Sequence, residues 1–153
     1  MEVQVDRRAL RKVSNEFRGA ASRLLNGGFR DSDANLQRFI AYIEKNPIIS
    51  GFLEQEMQKV DVSSHPPMQR DEDYRWNVPT DPSAEVVYIY SLLRFSVQGE
   101  KGFDYLNISR LYNRSSGGKI QDSVDAFNKS VVLPFINHIE QYLQGLMDRC
   151  WPS

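Results

Sequence analysis

The sequence predicts an all-α fold: a single-domain, bundle-like array of five or six helices closed by a long, kinked C-terminal helix. Two observations lead there. Between Ile120 and Met147, the residues Ile120, Val124, Phe127, Val131, Phe135, Ile139, Tyr142 and Leu146 recur every three or four positions, which stacks them on one stripe of a helix. Upstream, Asn46-Pro47 and Asp81-Pro82 each read as a cap followed by a proline at the first helical position, where its missing amide proton is harmless. At 153 residues the chain fits one helical domain, 1–153, long enough to bury a core without staples.

The first helix is expected from about Asp6 to Leu25, with Leu10, Val13, Phe17, Ala20, Ala21 and Leu24 on its apolar stripe. Asn26, Gly27 and Gly28 stop it, since these residue types accept the left-handed conformation that closes a helix. At about 100° per residue, Arg8, Arg11, Lys12, Arg18 and Arg23 fall away from the stripe, with Arg7 at its flank. A second helix, capped by Ser32 or Asp33, carries Leu36, Phe39, Ile40 and Ile43; Asn46 and Pro47 end it and open a third with Ile48, Ile49, Phe52, Leu53 and Met57 inward.

Periodicity then lapses over a long loop, 61–80, rich in prolines and acids and carrying the aromatics Tyr74 and Trp76. Loops of this length in compact domains are uncommon and often functional. The loop is either a partner site or an extended strap that folds Tyr74, Trp76 and Val78 over the core. The fourth helix follows Asp81 and Pro82 through Val86, Val87, Ile89, Tyr90, Leu93 and Val97 to Gly99. Its VVYIY run also suits a strand, but the cap and the downstream Leu92, Leu93 and Phe95 favour a helix. A short helix over Phe103–Tyr112 comes next, then the breaker Asn113–Gly118. In the final helix Pro134 removes a backbone hydrogen bond and predicts a kink.

Charge is distributed unevenly around a net of -1. Up to Arg30, seven cations face three carboxylates, a balance of +4; from Asp31 to Asp81, five cations face ten carboxylates, a balance of -5. Such regions neutralise each other within a fold or between subunits. No apolar run approaches the roughly 20 residues needed to span a bilayer, and MEVQVDRRALRK lacks the apolar core of a secretory signal, so cytoplasmic residence without membrane attachment is expected. The single Cys150 agrees with a reducing compartment.

Catalytic and metal signatures are not evident. Ser115 to Lys119 echo a phosphate-binding loop, but Ile120 stands where its hydroxyl residue belongs and no apolar strand precedes it. His65, His138 and Cys150 do not form a metal-ligand pattern, and His138 and Glu140, two apart on a helix, point in different directions. No cofactor or metal is expected.

The segments GFDYLNISRLYN and KIQDSVDAFNKSVVLPFINHIEQYL resemble helical modules of bacterial stress and anti-phage proteins of the abortive-infection kind. The resemblance covers Phe103 to Leu143, with Pro134, Phe135, Ile136, Ile139 and Glu140 its most distinctive part. It implies a module for assembly or regulation beside an effector, and carries no catalytic residues. The arginine, four-residue spacer and histidine of helical ribonucleases in that context are missing, since Val60 and Leu133 stand five positions before His65 and His138.

The expected function is therefore a non-enzymatic protein-interaction or assembly module, self-associating or binding another protein, with bacterial stress or phage defence as its context. Its candidate contact residues are Arg8, Arg11, Lys12, Arg18, Arg23, Tyr74 and Trp76. The alternative is a nucleic-acid-binding helical domain using the basic face of the first helix, with counterion release as its driving force. A pI near 6.1 weighs against it.

Overall fold

The computed structural model describes residues 6–60, 78–98, 104–112 and 119–149, and these are all-helical. Helix α1 spans Arg7–Asn26, α2 Ser32–Lys45, α3 Pro47–Lys59, α4 Pro82–Val97 and α5 Tyr105–Tyr112. Helices α6 (Ile120–Phe127) and α7 (Leu133–Arg149) are joined through a π-helical turn, Asn128–Val132, into one long, kinked C-terminal helix. The VVYIY run lies wholly in α4.

The caps at Asn46 and Asp81 follow the sequence, and Asp6, expected as the start of the first helix, caps it. Asp6 Oδ1 accepts from Ala9 N at 2.7 Å, Asn46 Oδ1 accepts from Ile48 N and Ile49 N, and Asp81 Oδ2 accepts from Ala84 N at 3.0 Å. Each satisfies amides that the first helical turn leaves without an intrahelical acceptor. Neither Ser32 nor Asp33 caps α2. A 3-10 turn, Phe29–Asp31, leads straight into the helix, which places Ser32 inside its first turn and buries it. Asp33 Oδ1 instead accepts from Tyr105 N at 3.2 Å, serving the start of α5.

The stop of α1 has a different cause from the one its residue types suggest. Gly27 is extended, with φ -72° and ψ 151°, rather than left-handed. Glycine is needed for space: a Cβ there would lie 2.5 Å from Asn35 Nδ2 and 2.7 Å from Arg23 O. Asn35 Nδ2 donates to that same carbonyl at 3.2 Å, so α2 comes up against the last turn of α1.

The core runs through α1, α2, α4 and α7. Phe17 meets Phe39 at 5.6 Å between ring centroids, Phe39 meets Phe135 edge-on at 6.2 Å, and Phe135 stacks on Tyr90 at 6.4 Å. Pairs of this kind contribute about 0.5–1.5 kcal/mol beyond burial of their area. They fix which faces of four helices look inward.

The C-terminal stripe is buried at Val124, Phe127, Val131, Phe135 and Ile139, whereas Ile120 is exposed and Tyr142 and Leu146 are half-buried. The π turn explains how one stripe persists. Phe127 and Ile139 lie twelve positions apart, and an unbroken α-helix would rotate them by about 120° relative to each other. The wider turn absorbs part of that drift. Its position follows from Pro134, which has no amide proton for the carbonyls of Lys129 or Ser130, both on exposed residues. Leu133 N donates instead to Asn128 O.

Candidate functional site

The basic residues of α1 separate into two groups. In the first two turns Arg7, Arg8, Arg11 and Lys12 are all exposed, and among the described residues no carboxylate forms an ion pair with any of them. Asp6 is occupied in capping, and the first turn contains no acidic residue. Of these, Arg7 and Arg8 lie in the first turn, at the positive end of the helix macrodipole, where a cation is unfavourable. The second group serves the fold. Arg18 Nε lies 3.6 Å from Glu140 Oε1 on α7, and Arg23 occupies the last turn, where positive charge complements the dipole. Arg18 remains 59% exposed, so its pair contributes at most about 1 kcal/mol.

Tyr74 and Trp76 lie outside the described residues, as does most of the 61–80 loop. Val78, at its end, packs half-buried against the core.

The described residues also form clefts away from the basic residues of α1. One, of about 500 Å³, opens between the Gly27 turn and the π segment and is lined by Leu25, Gly27, Gln121, Asn128 and Lys129. Beneath it the Tyr105 hydroxyl donates to Asn128 Oδ1, and Asn128 Nδ2 donates to Leu24 O at 3.4 Å. Gln121 Oε1 accepts from Phe29 N at 2.8 Å across the rim. These bonds tie α5 and the π turn to the end of α1. Burial pushes the Tyr105 hydroxyl far above its ordinary pKa, so the group acts as a fixed neutral donor.

The other cleft, of about 270 Å³, lies between α3, α4 and α7 and is lined by Phe52, Glu56, Pro82, Val86, His138 and Tyr142. His138 Nε2 pairs with Glu85 Oε1 at 2.7 Å. The sequence separates His138 from Glu140 correctly but gives no signal for Glu85, 53 positions away. Glu56 Oε1 meets Lys59 Nζ at 3.3 Å, while its Oε2 is shielded and has no hydrogen-bond donor among the described residues. Phe52 and Tyr142 stack at 4.4 Å along one wall.

Among the described residues no group of three or more His, Cys, Asp or Glu side chains is placed to hold a metal ion. No described helix is long and apolar enough to cross a membrane. The fold and its surfaces define a class, an all-α bundle-like domain with a cationic outer helix face. Comparison with known protein families, characterised proteins and solved structures returned no match.

Proposed function

We propose that this chain is a non-enzymatic protein-interaction or assembly module whose contact surface is the N-terminal half of α1, presented to an acidic protein surface. One observation carries the reading: among the described residues Arg7, Arg8, Arg11 and Lys12 are held exposed and without carboxylate partners, with Arg7 and Arg8 in the first helical turn, where cations are unfavourable. Side chains placed against the interest of the fold point to an external contact. The surface chemistry supports an electrostatic mode. Among the described residues the exposed large apolar side chains are Met57 and Ile120, on separate helices, which gives no apolar patch for hydrophobic docking. The resemblance of the last third to stress and phage-defence modules supports assembly in that context.

The same four cations favour a second reading, binding of nucleic acid phosphates. Size-exclusion chromatography with light scattering and absorbance at 260 and 280 nm, on protein purified without nuclease, separates the two. The proposal expects a protein-only complex, formed with itself or with an acidic partner, that is lost in Arg8→Ala/Arg11→Ala/Lys12→Ala. A peak rich in nucleic acid that dissociates in high salt establishes the second reading instead. Associations unchanged in the triple variant contradict both.

A further inference from the structure

We draw no further inference here: the strongest candidate, the cleft of about 500 Å³ between the Gly27 turn and the π segment, carries none, because Gln121, Asp125 and Asn128 in its lining are already hydrogen-bonded within the chain and nothing in the structure shows what fills or covers it.

Discussion

Single residues hold the joints between helices, and two of them give direct tests. Gly27→Ala forces a Cβ against Asn35 and the Arg23 carbonyl, and the carbonyl belongs to a helix that cannot yield freely. A loss of about 1–3 kcal/mol in urea unfolding is expected. Asn128→Leu leaves the buried Tyr105 hydroxyl without its acceptor, with an expected loss also of about 1–3 kcal/mol. Tyr105→Phe in the same chain should restore part of it, because removing both partners of a buried bond costs less than removing one. Tyr105 also makes stability depend on alkaline pH. Its folded pKa lies above the unfolded value of about 10, so folding retains a proton that the unfolded chain gives up. The stabilisation is full below pH 10 and declines above it, by about 1.4 kcal/mol per pH unit for this one group. Tyr42 and Tyr90, both raised chiefly by burial, shift the same way. Unfolding followed from pH 9 to 11 should therefore show a shallower decline in Tyr105→Phe than in wild type.

Elements were legible in the sequence wherever the signal was local. Asn46 before Pro47 and Asp81 before Pro82 mark helix starts because cap and amide lie within three residues. Replacing Asn46 with alanine should cost about 1 kcal/mol and speed hydrogen exchange at Ile48 and Ile49, the two amides it receives. Where the deciding partner is distant, the sequence misleads. Asp33 looks like a cap for α2 but serves Tyr105 on α5, 72 positions on, and Gly27 is required by Asn35 rather than by its own backbone angles. Pro134 announces a disturbance, yet its form, a π turn upstream that keeps Phe127 and Ile139 on one core face, depends on packing against the other helices.

At the scale of the whole molecule, the basic face of α1 was readable from helical angles alone, because exposure follows from the apolar stripe opposite. Its division was not: Glu140, which engages Arg18, is 122 positions from it. The cleft between α3, α4 and α7 was likewise invisible, since Glu56 and His138 in its lining, and Glu85 that pairs with His138, come from three helices. Stability and association should respond oppositely to the exposed cations. In Arg8→Ala/Arg11→Ala, relief from the helix dipole and a better helix former should leave the melting temperature unchanged or raised, while association is lost. Association of the wild type should also weaken steeply with salt, since contacts between exposed charges are screened beyond about 10 Å at 0.1 M.

The most direct measurement is light scattering of the wild-type chain and of Arg8→Ala/Arg11→Ala/Lys12→Ala, in low and in high salt, with the melting temperature of each recorded alongside. The α1 face as a protein contact predicts a nucleic-acid-free assembly in low salt that falls apart in high salt, and a triple variant that is fully folded yet does not assemble. Assembly that persists in the folded triple variant would contradict it.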